Sequence, residues 1–123
     1  MTESKRSRPN GAKSVLGLRC APLERVRIGF IGVGARGQRA VERMVNIEGT
    51  EVVALCDFIE RNLEESCAIV EKYGGDRPLT LLGEDGWRSL CENPNIDLVY
   101  ISTDWVSHAN IAVYALEQGK HTA

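Results

Sequence analysis

Three glycines are spaced as in a turn that binds phosphate. Gly32, Gly34 and Gly37 follow a short apolar run and open a helical pattern. The first glycine permits a tight turn, the second lets the backbone approach a pyrophosphate, and the third lets helix and strand pack closely. Unpaired N–H groups at the start of such a helix attract phosphate oxygens. The spacing therefore favours a dinucleotide site over the alternative, a glycine-rich turn that holds no ligand.

An acidic residue stands where a dinucleotide site needs one. Asp57 ends the next apolar run, twenty residues after Gly37. A carboxylate there accepts hydrogen bonds from the adenosine ribose and repels a 2′-phosphate, so the pattern predicts NAD as the cofactor rather than NADP. Arg61 lies close enough in sequence to weaken that preference, although a solvated position on a helix is the favoured interpretation of this residue.

A third group of side chains follows the last long apolar run. In an open parallel sheet, ligands sit beyond the carboxyl ends of the strands, so we expect this loop to meet the nicotinamide half of the cofactor. Trp105 is a candidate for packing on the ribose or the ring, and His108 for hydrogen bonding. A capping or packing role suits His108 equally well. The segment reads Thr103, Asp104, Trp105, Val106, Ser107 and His108.

Alternating strands and helices are needed to position these residues, and the hydrophobic pattern predicts them. Strands are expected over residues 26–31, 51–56, 79–82 and 97–102. Helices are expected over residues 36–46, 60–73 and 85–91, and again after Ser107, which offers an N-cap. This order predicts an α/β fold with right-handed parallel crossovers and a doubly wound sheet.

The same periodicity predicts which side chains are buried. We expect Trp87 to be a core anchor and not a ligand contact. The four cysteines are separated by 36, 11 and 24 residues, which matches no metal-binding pattern. We expect them to be small, buried, hydrophobic side chains of a protein in a reducing compartment. The predicted inward-facing helix residues are Ala40, Val41, Met44, Val45, Leu63, Cys67, Val70, Trp87, Leu90, Ile111, Ala112, Ala115 and Leu116.

The two ends of the chain differ from its middle. Residues 1–25 are predicted to be a flexible basic tail, and residues 26–123 a single dinucleotide-binding domain. Residues 1–27 hold seven basic and two acidic side chains, whereas the rest holds eight and fifteen. A basic arm suggests nucleic acid, but this one has no aromatic residue for stacking on bases, so a solvated tail is favoured. Residues 121–123 resemble the opening of a fifth strand, so we expect a domain truncated there.

Composition sets the broad class. The chain has 123 residues, of which 43% are hydrophobic and 26% charged, as in one ordinary globular domain. No apolar run approaches the ~20 residues that span a bilayer, and the basic start lacks the apolar core of a signal peptide. We expect a cytoplasmic protein without membrane or nucleic-acid partners, although export of a longer parent stays open.

Taken together, these motifs resemble the N-terminal domain of the Gfo/Idh/MocA oxidoreductase family. The resemblance spans Val26 to His121 and rests on RIGFIGVGARG, EVVALCD, DLVYIST with a histidine five residues after the threonine, and ALEQGKH. Within that family the chain looks most like glycoside hydrolase family 109. The segments GLRCAP, VERMVNIEGTEVVALCD, WRSLCE, IDLVYISTDW and AVYALEQGKH fit that branch.

The resemblance implies a Rossmann-type fold, bound NAD and a glycosidase. Its implied route is transient oxidation of the sugar at C3, elimination of the aglycone, addition of water and reduction. An α-linked N-acetylgalactosamine is the implied substrate. By motif position, Ala35 and Arg36 would contact the cofactor, Asp57 would hold the ribose, and residues 105–108 would line its other end. Asp104 replaces the family's usual proline, a departure that the glycosidase branch tolerates.

The resemblance transfers no catalytic residue, so the catalytic residues are unknown and are expected in a C-terminal substrate domain. Two other functions stay open: an NAD-dependent sugar or polyol dehydrogenase of the same family, and a non-catalytic dinucleotide-binding module. We expect the chain alone to bind nucleotide without turnover. The full-length protein would take a small carbohydrate substrate and could form a homo-oligomer.

Overall fold

The computed structural model describes residues 20–123, except for the side chains of Trp105 and Val106. The predicted basic tail lies mostly outside the described residues. Its last part, residues 20–25, is exposed and forms neither helix nor strand.

Over residues 20–123, five parallel strands and four helices alternate, as predicted. The sheet has the order β3-β2-β1-β4-β5, and every neighbouring pair is parallel. The elements are β1 Val26–Ile31, α1 Ala35–Val45, β2 Thr50–Asp57, α2 Glu60–Lys72, β3 Leu79–Leu82, α3 Glu84–Glu92, β4 Leu98–Ile101, α4 Trp105–Glu117 and β5 His121–Thr122. The α/β class and the doubly wound sheet are confirmed.

The order in which strands are added to the sheet reverses between β1 and β4. From β1 the chain moves outward through β2 to β3, and then returns to pair β4 with the other side of β1. Helices leave the carboxyl ends of β1 and β4 toward opposite sides, which opens a crevice between them. The predicted glycine turn and the predicted loop after β4 both lie at this crevice.

Two apolar cores cover the two faces of the sheet. Ile28 and Phe30 of β1 pack with Val41 of α1 and Leu63 of α2. On the other face, Ile31 packs with residues of α3 and α4, among them Leu90, Cys91, Ile111 and Ala115. The alternation of β1 side chains between the cores follows from the period of two in a strand.

A bulge in β2 interrupts this alternation. Ile28 pairs with Val52, but the next residue, Gly29, pairs with Ala54, so Val53 is skipped. The extra residue brings Val53 and Ala54 to the same core. The continuous apolar run that predicted a buried strand therefore contains a register shift that the pattern did not reveal.

Two predictions about α4 are wrong. The helix begins at Trp105, and its N-cap is Asp104, whose carboxylate accepts the Ser107 N–H at 3.0 Å. Ser107 therefore lies inside the first turn, where its hydroxyl also donates to the Asp104 carboxylate, at 2.6 Å. Leu116, predicted to be buried, is 57% exposed because the helix turns that face away from the sheet.

Among the described residues, no helix is long and apolar enough to span a membrane. The longest helices, α2 and α4, have 13 residues each.

Candidate cofactor-binding site

The first glycine of the turn is required by the fold itself. Gly32 has φ +86°, a conformation that side chains rarely adopt, and a Cβ there would overlap the Ser102 carbonyl oxygen. Its N–H donates to the Cys56 carbonyl at 2.9 Å. The turn is thus pressed between the ends of β2 and β4, which leaves no room for another residue type.

The other two glycines face opposite surroundings. A Cβ on Gly37 would overlap the Gly32 carbonyl oxygen, so this glycine allows α1 to pack on the turn. A Cβ on Gly34 would meet nothing nearer than Asn62 Nδ2, at 4.0 Å. The protein therefore does not need a glycine at position 34 for its own packing. The open space above it suits an incoming pyrophosphate.

The start of α1 offers N–H donors to that space. The helix begins at Ala35 after Gly34, and no side chain caps it. The first N–H groups of a helix have no acceptor within the helix, and the helix dipole is positive at this end. Ala35 and Arg36 are exposed there. The residues present therefore fit a dinucleotide whose phosphates lie at this turn.

Asp57 is half-buried at the end of β2 and already has three protein donors. Its Oδ2 accepts the Val33 N–H at 2.8 Å, and its Oδ1 accepts the Ile59 N–H at 2.8 Å and Asn62 Nδ2 at 3.2 Å. A carboxylate offers about four acceptor positions, so capacity for a ligand hydroxyl remains. Asp57 thus holds the glycine turn in addition to its predicted role toward a ribose.

Sequence reasoning missed Asn62, which lies between the predicted site residues. Its Nδ2 donates to Asp57 and is also the atom nearest to the position that a Cβ on Gly34 would take. Its place on α2, five residues after Asp57, gave no signal in the pattern. Arg61, by contrast, extends into solvent and pairs with Glu65 at 2.9 Å, which agrees with the solvated helix position.

Two clefts flank the glycine turn. The first, here the Asp57 cleft, has a volume of about 500 Å³, within the usual range of ligand pockets. The second, here the arginine cleft, lies on the α1 side. The Asp57 cleft is lined by Ile31, Gly32, Gly34, Cys56, Asp57, Phe58, Gly83, Glu84, Trp87, Ser102, Thr103, Asp104, Ser107 and Ile111. The arginine cleft is lined by Gly34, Ala35, Arg36, Gly37, Arg39, Arg43, Tyr100, Ile101, Ser102, Thr103, His108 and Ala109.

The segment after β4 is divided between these clefts. Thr103 borders both, Ser107 lines the Asp57 cleft, and His108 lines the arginine cleft. The sequence predicted one common surface for all of them, but consecutive residues in the first turn of α4 point about 100° apart. The predicted roles of Trp105 and Val106 depend on side chains outside the described residues.

Trp87 contacts a core, as the sequence predicted, but it is not confined to that core. It packs against the second core but is only half-buried, and its remaining surface lines both the Asp57 cleft and a neighbouring cleft between α3 and α4. Arg36 of α1 was predicted to contact the cofactor, whereas Arg39 and Arg43 of the same helix were missed. Arg36, Arg39 and Arg43 follow one another at helical spacing along the second cleft and make it basic.

The described residues contain no group of three or more His, Cys, Asp and Glu side chains that could hold a metal ion. Burial raises the pKa of Cys56 to about 12 and that of Cys91 to about 11. These thiols stay protonated and unreactive, because the thiolate is the nucleophile.

Comparison with known proteins identifies the family of the domain. The family model of the Gfo/Idh/MocA oxidoreductases, described as an oxidoreductase family with an NAD-binding Rossmann fold, matches residues 26–123.

Curated relatives carry glycosidase names. A glycosyl hydrolase family 109 protein from Phocaeicola vulgatus is 49% identical over 117 residues, which cover 94% of this chain and 25% of that protein. An α-N-acetylgalactosaminidase from Bacteroides fragilis is 47% identical over 109 residues, which cover 89% of this chain and 26% of the relative. The chain thus spans about a quarter of the length of these curated relatives.

Solved structures with the same fold hold nicotinamide dinucleotides. The myo-inositol dehydrogenase of Lactobacillus casei, in complex with NAD(H) and myo-inositol, is 28% identical with a TM-score of 0.64, covering 80% of this chain and 27% of its own. The biliverdin reductase of Synechocystis, with NADP+, is 30% identical with a TM-score of 0.64, covering 79% and 28%.

The five-stranded parallel sheet, the glycine turn at its crevice and the match over residues 26–123 lead to one assignment. The chain belongs to the Gfo/Idh/MocA oxidoreductase family and carries its NAD-binding Rossmann fold.

Proposed function

We propose that the protein containing this domain is an NAD-dependent glycosidase that hydrolyses α-linked N-acetylgalactosamine. Residues 26–123 would form its dinucleotide-binding domain. In such an enzyme NAD supplies the hydride acceptor and donor for transient oxidation of the sugar at C3. The described residues would bind and orient the cofactor, and the residues that transfer protons to the sugar are unknown.

The observation that carries the cofactor role is the open space at Gly34, beside the uncapped start of α1 and the Asp57 carboxylate. The N–H groups of Ala35 and Arg36 would donate to the pyrophosphate, and the Arg36 guanidinium would add positive charge. Asp57 would accept a hydrogen bond from the adenosine ribose. Gly32 and Gly37 would bind only indirectly, because they shape the turn.

The opposite end of the cofactor would lie near the loop after β4. Thr103 lines both clefts, which supports a contact with the centre of a dinucleotide that would cross the turn. Ser107 would then serve the adenosine side and His108 the nicotinamide side. Trp105 and Val106 remain candidates by motif position.

The names of the relatives support glycosidase activity over dehydrogenase activity. Relatives named as family 109 glycosyl hydrolases are 47–50% identical to this chain, whereas the inositol dehydrogenase is 28% identical. Both groups act on cyclic polyhydroxy compounds, which supports a carbohydrate substrate. A dehydrogenase is the second candidate because its solved structures share the fold.

Product analysis separates the two candidates. The longest form of the protein that its gene encodes would be incubated with NAD and a nitrophenyl α-N-acetylgalactosaminide. A glycosidase releases nitrophenol without net NADH, whereas a dehydrogenase forms NADH in proportion to the oxidised sugar or polyol. NADH accumulation without nitrophenol would overturn the proposal.

The 123-residue chain serves as a comparison in the same assay. We expect it to bind NAD and to show no turnover. Nitrophenol release by this chain, lost on His108→Ala, would place proton-transfer chemistry in the dinucleotide-binding domain and contradict that expectation.

A further inference from the structure

Helix α3 is held against the end of β2, where Asp57 lies. The Gly83 N–H donates to the Asp57 carbonyl at 3.1 Å. Gly86 packs so closely that a Cβ on it would lie 3.2 Å from Cys56 Sγ and 3.1 Å from Leu81 Cβ. Trp87 follows about 6 Å along the helix from Gly83. The start of α3 therefore carries the Trp87 indole to the same cleft as Asp57.

Protein contacts hold the Trp87 ring on two sides. The Arg88 guanidinium lies 5.0 Å from its centroid, and Tyr114 meets it edge-on with centroids 5.4 Å apart and an interplanar angle of 90°. Trp87 also packs against the second core, and its remaining surface is shared between the Asp57 cleft and the neighbouring cleft that Arg88 and Tyr114 line. A side chain fixed in this way loses little freedom when a ligand packs on it.

The rest of the cleft suits a flat, mostly apolar group joined to a sugar. Ile31, Phe58 and Ile111 give it apolar walls, and Asp57 stands at its polar end. Phe58 is 71% exposed, which is unusual for a phenylalanine and leaves its ring free to meet a ligand. If Asp57 accepts the ribose hydroxyls, the base attached to that ribose must lie within this cleft.

We propose that Trp87 is the surface on which the adenine base of the dinucleotide packs. This inference rests on the proposed function, because it takes Asp57 as the ribose acceptor. Nucleobases stack on aromatic side chains through their π-faces, and this contact stabilises binding in many nucleotide sites. Trp87 then contributes affinity for the adenosine half of NAD and none for the nicotinamide half.

Two half-ligands test the proposal on the 123-residue chain. ADP-ribose keeps the adenosine half of NAD, whereas nicotinamide mononucleotide lacks it. Trp87→Ala should weaken ADP-ribose and NAD binding about ten- to a hundredfold, measured by calorimetry, and leave nicotinamide mononucleotide unchanged. Trp87→Phe keeps an aromatic face and should lose less affinity than Trp87→Leu, which keeps only apolar volume.

Tryptophan fluorescence gives a readout that a purely structural role would not move. The chain has two tryptophans, so Trp87→Phe and Trp105→Phe each leave one. Quenching of emission by ADP-ribose should disappear in Trp87→Phe and persist in Trp105→Phe. Tyr73→Ala, a half-exposed aromatic on another part of the surface, serves as the control for aromatic loss and should keep ADP-ribose affinity.

The contrary outcomes are distinct. Unchanged ADP-ribose affinity in Trp87→Ala, or quenching that disappears only in Trp105→Phe, would overturn the inference and leave the proposed function standing. Equal weakening of both half-ligands would show that Trp87 acts through the fold, which also overturns it. If Trp87→Ala fails to fold, the Phe and Leu variants and the quenching decide. A chain that binds neither NAD nor ADP-ribose would contradict the proposed function, and the inference would fall with it.

Discussion

At the scale of single residues, the three glycines of the turn do different work. At positions 32 and 37, backbone atoms of the protein itself exclude every residue type that has a Cβ. At Gly34 they do not, and the space beside it remains open. A substitution at Gly32 or Gly37 therefore tests folding, whereas a substitution at Gly34 tests ligand binding.

Gly34→Val should abolish NAD binding and lower the free energy of unfolding by about 1 kcal/mol or less, because Gly34 is the N-cap of α1 and valine caps a helix less well than glycine. Its side chain would occupy the pyrophosphate site. Gly37→Ala should instead lower the free energy of unfolding by about 1–3 kcal/mol, because the added methyl group overlaps the Gly32 carbonyl. Calorimetry and urea unfolding measure the two quantities. Normal NAD binding by Gly34→Val would show that the turn does not hold the phosphates.

Asp57 also combines two roles, since its carboxylate holds Val33 while retaining acceptor capacity. Asp57→Asn should narrow the preference for NAD over NADP by about tenfold or more, because it removes a negative charge from beside the 2′-phosphate. Binding constants for both dinucleotides measure this. Asn62→Ala is the matched control. It removes a hydrogen-bond donor to Asp57 but keeps the negative charge, so the ratio of the NAD and NADP binding constants should not change. Equal binding of NAD and NADP by the unmodified chain would refute the ribose role.

At the scale of elements, an ion pair joins β1 to the segment before β4 at the amino ends of the strands, opposite the cofactor site. Arg27 of β1 donates from its N–H and from Nε to Asp97 Oδ2, at 2.9 and 3.0 Å, and from Nη2 to Oδ1 at 3.0 Å. In return, the Asp97 N–H donates to the Arg27 carbonyl at 2.8 Å. These contacts set β4 beside β1, and that pairing places the glycine turn next to the loop after β4.

The pair makes stability depend on pH. The Arg27 guanidinium lowers the pKa of Asp97 in the folded protein. A lowered pKa means that the stabilisation is complete above the unfolded value of about 3.9 and is lost as pH falls through the folded value. Asp97→Asn should therefore lower the thermal midpoint at neutral pH and flatten its fall below about pH 5. Asp76→Asn, at an exposed carboxylate, is the control. A parallel acid response in Asp97→Asn and the unmodified chain would contradict this account.

At the scale of the whole molecule, the described domain places three of its four cysteines in the cores. Cys56, Cys67 and Cys91 are buried, and Cys20 is exposed. Burial raises the pKa of each of the three buried thiols. The folded domain therefore protects these thiols both by access and by protonation.

Thiol labelling counts the exposed cysteines directly. At about pH 8 the native chain should react rapidly at one cysteine, and Cys20→Ser should remove that reaction, because only Cys20 is accessible. Denaturant should expose all four. Rapid native labelling of Cys20→Ser would show that a core opens on the timescale of the reaction.

The sequence by itself determined the elements and the turn. Helical and strand periodicity, and the glycines with an acid after the next strand, are local features, and local features fix where a segment turns or begins a helix. They located Gly32, Gly34, Gly37 and Asp57, and the strands that bring them together.

Only the tertiary structure decided which core, cleft or solvent surface each side chain faces. The bulge at Val53, the exposure of Leu116, the division between Ser107 and His108, and the position of Trp87 in the Asp57 cleft all depend on strand register and on the rotation of each helix about its axis. Those quantities are set by packing between segments far apart in the chain. Periodicity identifies the apolar side of a helix, but a half-buried side chain at its border, such as Trp87, faces either a core or a ligand cleft according to its neighbours in space.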